Sequence, residues 1–159
     1  MTSTASRPST RSPPASDAWG PDAPWTVLRD AYYRLMKLRG GVLRRFGLSL
    51  SEYSALRLCA EAPSILSDIA EMAGVTSAGA TDIVDRLEAR RLVRRLSDSK
   101  DRRAVRVALT PPGRRLFREA QSTQRAMFRD LSRSLSSSER KALVNGLSSL
   151  IRSLSSHEA

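Results

Sequence analysis

The chain holds very little from which an enzyme centre is usually built. Of its 159 residues one is a cysteine, Cys59, and one is a histidine, His157. A single cysteine excludes an intrachain disulfide and a cysteine-built zinc site. No Cys–His pair, metal-ligand cluster or glycine-rich phosphate loop can be assembled from what remains. The expectation is therefore a protein that is not an enzyme and needs neither cofactor nor metal. One lone thiol fits a reducing compartment, so a cytoplasmic location is expected. Long apolar runs are missing too: nothing approaches the roughly 18 residues of a membrane span, and no signal-peptide core follows Met1. Aromatics make up only 5%, so aliphatic side chains on helices must carry the core. Acids are also scarce. Sixteen Asp and Glu face 27 Lys and Arg, a net charge of +11. Such an excess suggests a polyanionic partner, nucleic acid or an anionic membrane surface, unless it serves solubility alone.

What is present reads as a mostly helical chain. Residues 1–21 are Ser, Thr, Pro, Arg and Ala with little to bury, and are expected to be a disordered tail. From 22 the pattern is helical, with Asp22 as cap and Pro24 in the first turn. Trp25, Leu28, Tyr32, Leu35, Val42 and Phe46 recur at steps of three and four, a face meant for another helix. Ser49-Leu50-Ser51-Glu52 is a capping box, and the helix it opens turns Tyr53, Leu56 and Ala60 inward until Pro63 stops it. A short helix carrying Ile65, Ile69, Ala70 and Met72 should follow and end at Gly74. Thr76 caps the next, which holds Ala80, Ile83, Val84 and Leu87. Two short helices joined by a glycine-containing turn form a helix-turn-helix.

The period then changes from 3.6 to 2. Leu92–Leu96 and Ala104–Leu109 are expected strands, joined by the polar tip at 97–103. Thr110-Pro111 restarts a helix, and Ser136-Ser137-Ser138-Glu139 is a second capping box ahead of Leu143, Leu147, Leu150, Ile151 and Leu154. The stripes of the terminal helices read as paired core or dimer helices rather than membrane-surface helices, because arginines do not cover their opposite faces. The expected organisation is a tail at 1–21, a dimerisation helix at 22–48, a winged helix-turn-helix at 49–110 and C-terminal dimerisation helices at 111–159.

The charge gathers around the hairpin. Between Thr76 and Arg118 stand 12 basic residues, all but Lys100 arginines, against 5 acids. Arginine's planar fork suits phosphates and a narrow minor groove. Solvated charge alone does not explain why the excess brackets a hairpin and a capped helix.

The stretch from Leu48 to Arg118 resembles the MarR family of bacterial transcription regulators. The likeness runs through LSLSEYSALRLCAE, SDIAEMAGVTSAGATDIVDRLEARRLVRR and DSKDRRAVRVALTPPGRRL, most specifically in DRLE, LVRR, and DRR with LT and PG after it. It implies a dimer that binds a palindromic operator in double-stranded DNA, as a repressor relieved by a small-molecule effector. It also implies that the helix from Thr76 enters the major groove with Ser77, Ala78, Thr81, Asp82 and Arg86. The wing would carry Lys100, Asp101, Arg102 and Arg103, with Asp101 orienting Arg103 toward the minor groove, and Arg94 and Arg95 would meet phosphates. Asp82 stands where the family often has a base, and can accept from cytosine N4. Gly79 weakens the recognition helix. Arg91 replaces a usual glycine, and is strained if the backbone there is left-handed. Some family members sense oxidants through cysteine. Here the spacing from Leu56 and Ala60 puts Cys59 on the core face, which favours a buried, inert thiol.

Overall fold

The computed structural model describes residues 23–97 and 105–157. The expected tail, the Asp22 cap, and the wing residues Lys100, Asp101, Arg102 and Arg103 lie outside the described residues. In chain order the elements are α1 (Ala23–Arg44), α2 (Leu50–Glu61), β1 (Ser64–Ile65), α3 (Leu66–Ala73), α4 (Ser77–Ala89), β2 (Val93–Ser97), β3 (Val105–Leu109), α5 (Pro111–Arg133) and α6 (Ser137–Ser155). The chain divides after Leu38 into two compact units. In the first, α1 leaves Trp25, Val27, Tyr32 and Tyr33 exposed.

The second unit starts at Arg39 and holds the core. Leu43, Leu48, Leu56, Ile69, Val84, Leu87 and Val107 are its largest fully buried side chains. Tyr53 on α2 packs against Phe117 on α5, ring centroids 5.5 Å apart. The helix starts are set by their own side chains. Ser49 Oγ accepts the Glu52 N–H at 3.1 Å while Glu52 Oε2 accepts the Ser49 N–H at 2.8 Å. Ser136 and Glu139 repeat the exchange at α6. Thr76 and Thr110 accept from the N–H groups of Gly79 and Gly113.

Three helix ends share one closure. At Gly47, Gly74 and Arg91 φ is +64°, +64° and +57°. In each case the next residue's N–H reaches back five positions: Leu48 to Leu43, Val75 to Ala70, Leu92 to Leu87. Arg91 is the non-glycine residue among the three. Its Cβ costs about 1 kcal/mol in that conformation.

The sheet has three strands where the sequence reading held two. Its order is β1-β3-β2, all antiparallel, with Ser64 opposite Val107 and Ile65 opposite Arg106. Ile65 was expected inside the short helix, and instead it is extended and precedes that helix. Pro63 keeps the preceding residue out of helical conformation, and the free edge of β3 offers hydrogen bonds that a two-residue segment can take. Two residues are too few to show a period. Leu92 likewise belongs to the turn that closes α4, not to β2.

Cys59 is 3% exposed, and burial pushes its thiol up to about 11. At neutral pH roughly one thiol in ten thousand is then the reactive thiolate. Peroxide is expected to leave DNA binding of the parent and of Cys59→Ser alike unchanged, measured by fluorescence anisotropy. Release of the parent but not the variant would show that the thiol is a sensor.

Candidate nucleic-acid interface

The helix-turn-helix is α3 and α4 joined at Gly74. Ala80, Ile83, Val84 and Leu87 bury one side of α4. The positions between them form the opposite face, where Ser77, Ala78, Asp82, Asp85 and Arg86 are exposed and Thr81 is half-buried. The Thr81 hydroxyl donates back to the Ser77 carbonyl at 3.1 Å. Thr76, the cap, is exposed beside them. The expected recognition residues therefore share one outward face, with two small side chains and a hydroxyl at its N-terminal end, where a helix approaches a polyanion most closely.

Arginines tie this helix into the domain. Arg86 Nε lies 3.5 Å from Glu52 Oε1, the same nearly buried carboxylate that closes the capping box of α2. Arg90 donates to the Gly47 carbonyl at 2.8 Å. Arg95 meets two carboxylates of α4: Asp85 Oδ1 at 2.6 Å, and Glu88 Oε2. The Asp85 hydrogen bond raises the Arg95 pKa most; burial works against it and Glu88 adds to it. Arg94, its neighbour, is exposed and has no ion pair among the described residues. Arg91, Arg114 and Arg115 are exposed as well.

A second cluster lies among α1, α2 and α5, within the unit that starts at Arg39. Gln124 is 3% exposed; its Oε1 accepts from Arg39 Nε at 3.1 Å, and its Nε2 has no hydrogen-bond partner. Burial raises the Tyr53 pKa, offset in part by Arg39, Arg57 and Arg125. The sequence reading named none of these residues for a site. Gln124 is 85 positions from Arg39, and no local spacing signals such a pair.

Among the described residues no group of His, Cys, Asp and Glu could hold a metal ion. No helix there is long and apolar enough to cross a membrane.

A short capped helix with a polar outer face, a preceding helix set against it by a left-handed glycine turn, and an adjoining antiparallel pair define a winged helix-turn-helix domain. A sequence profile of the MarR family matches residues 46–104. The transcriptional regulator BldR from Sulfolobus solfataricus is 32% identical, covers 80% of this chain and 91% of its own, and superposes with a TM-score of 0.68. The repressor CouR, solved on a 23-mer DNA duplex, is 25% identical over 79% of this chain and 89% of its own, at a TM-score of 0.68. The HTH-type transcriptional regulator YfiV of Bacillus subtilis is 36% identical over 89 residues, 56% of each chain. The chain thus spans about half the length of that curated relative. It belongs to the MarR family, whose members regulate transcription and are not enzymes.

Proposed function

We propose that the protein is a dimeric regulator that binds a palindromic operator in double-stranded DNA and represses transcription until a small effector releases it. The observation that carries this reading is the outer face of α4: Ser77, Ala78, Thr81, Asp82 and Arg86 lie together opposite a buried apolar face. A helix of this form fits the major groove, and a two-fold dimer presents it twice. Phosphate contacts fall to exposed basic groups around it, Arg94 first, and the wing at Lys100, Asp101, Arg102 and Arg103 reaches the adjacent minor groove. CouR, of the same fold, has been solved on duplex DNA. Residues 22–48 and 111–159 supply the dimer contacts, and 49–110 the DNA-binding region. A regulator that works on chromosomal DNA belongs in the cytoplasm.

The effector step is supported by the buried amide of Gln124. An unsatisfied buried donor costs about 1–3 kcal/mol, and a ligand acceptor at Nε2 would remove that cost. Selection of bound duplexes from a random library, followed by competition against unselected DNA, tests the core of the reading. An enriched two-fold site supports it. Equal affinity for all duplexes would instead indicate an architectural DNA-binding protein.

Arg103→Ala is expected to weaken operator binding by about 1–3 kcal/mol and to flatten the preference for A·T pairs under the wing. A phosphate contact would instead weaken all sequences equally and lower the salt slope by about one. Asp101→Ala should cost less, and the two changes should not add, because a carboxylate that only orients a guanidinium has nothing left to orient. Fluorescence anisotropy at two salt concentrations checks the cycle. Additive losses would refute the orienting role, and unchanged affinity of Arg103→Ala would refute the wing contact.

A further inference from the structure

We propose that Arg95 is a positioning residue: two carboxylates of α4 grip it and thereby fix the wing strand relative to the helix that faces the major groove. This rests on the DNA-binding reading above, and it removes Arg95 from the set of phosphate ligands that the sequence suggested.

Asp85 and Glu88 lie three positions apart on α4, so both carboxylates reach the same side of the helix. Beyond the left-handed turn at Arg91 the chain enters β2, and Arg95 comes back against them. Glu88 uses both oxygens on this one residue. Its Oε1 accepts the Arg95 backbone N–H at 3.1 Å, and its Oε2 meets the guanidinium. Asp85 Oδ1 takes the other guanidinium nitrogen at 2.6 Å.

β2 is an edge strand in the order β1-β3-β2, so an amide pointing away from β3 has no strand partner. Glu88 provides one. A strand held through both backbone and side chain can neither slide along α4 nor swing away from it. β2 runs only two residues further, to Ser97, before the segment that carries Lys100, Asp101, Arg102 and Arg103. A rotation at Arg95 therefore turns the end of β2 relative to α4. The clamp sets the separation between major-groove and minor-groove contacts, and that separation has to match the duplex. A guanidinium already shared by two carboxylates is also a weak phosphate ligand. Arg94, the residue before it in the strand, points to the other face and remains exposed.

The two roles give opposite signs when the acids are neutralised. Were Arg95 a phosphate ligand, Asp85→Asn/Glu88→Gln would free its guanidinium, delete two charges that repel DNA, and tighten binding. As a clamp, the same double variant loosens operator binding roughly tenfold, the size of one misplaced groove contact. Arg95→Gln should lose a similar factor with the salt slope unchanged, and the triple variant should be no worse than Arg95→Gln alone.

A readout without DNA keeps the clamp separable from the DNA-binding reading. In the free protein, hydrogen exchange at the Arg95 amide should speed up in Glu88→Ala, which leaves that amide no acceptor. If that exchange is unchanged, or if the double acid variant binds the operator as tightly as the parent, the proposal is overturned. If the parent prefers no duplex over another, the operator-specific reading fails, while faster Arg95 exchange still upholds the grip of α4 on β2.

Discussion

Replacing Val144 and Ile151 by glutamate is expected to convert the protein to a monomer and lower operator affinity by about a hundredfold or more. Helix α6 runs for 19 residues and buries none of them. Leu143, Val144, Leu147, Ile151 and Leu154 are between 40% and 63% exposed, and their spacing of three and four places them on one side. Five such side chains, each stabilising by about 1.5–3 kcal/mol when fully buried, form a surface that water does not tolerate. A second copy of the same helix is the simplest cover, since a self-complementary stripe closes on a two-fold axis. The core at Leu43 to Ala120 is complete without α6, so the variant should keep its helical signal in circular dichroism. Its half-sites would then bind independently, and the loss of linkage accounts for the affinity drop. Removal of residues 137–159 should act in the same direction, giving a monomeric or insoluble product. Light scattering reads the mass and anisotropy reads the affinity. A variant that stays dimeric, or a monomer with the parent's affinity, would refute this assembly.

The features legible in the sequence are those in which a residue acts on near neighbours. The two capping boxes, the Thr76 and Thr110 caps and the Gly74 end depend on contacts three to five positions away, and the pattern of residue types states them directly. The change of period at 92–109 gave the hairpin, and the arginine count gave the polyanion. Features formed by distant residues were not legible. β1 exists because β3 offers an edge to two residues some forty positions earlier, and no two-residue pattern can say so. Arg95 reads as one more base in LVRR until α4 is seen to bring Asp85 and Glu88 against it. Arg86 reads as a free recognition residue until Glu52, already committed to its own cap, is found 3.5 Å away. The outer face of α4 lies where periodicity placed it.

Gly113→Ala is expected to destabilise the fold by about 3–4 kcal/mol, more than a third of what many domains possess. The glycine sits in the first turn of α5, and a Cβ built there would lie 1.9 Å from the Leu92 carbonyl oxygen and 2.8 Å from its carbon. Both are backbone atoms, so no side-chain rotation relieves the overlap. The carbonyl itself is pinned, because Leu92 O accepts from the Thr110 N–H at 3.1 Å, while the single proton of the Thr110 hydroxyl is shared between the Arg91 carbonyl at 2.7 Å and the Leu92 carbonyl at 3.1 Å. That hydroxyl also takes the Gly113 N–H. The start of α5 must therefore move outward and strain or break the Thr110 bonds. Overpacking contributes about 1–3 kcal/mol, and each weakened hydrogen bond about 1 kcal/mol more. The thermal midpoint should fall by roughly 10 °C. Gly40→Ala is the internal comparison. It lies in α1, where the new methyl meets only the end of the flexible Arg44 side chain at 3.7 Å, and alanine should favour the helix by up to about 1 kcal/mol. The same chemical change thus carries opposite signs at the two sites, and urea denaturation reads both. Because α5 leads from the β3 strand to the helices assigned to the dimer, Gly113→Ala should also weaken operator binding at temperatures where the variant is still folded. A Gly113→Ala protein as stable as the parent would mean that α5 does not dock on Leu92 as the structure shows.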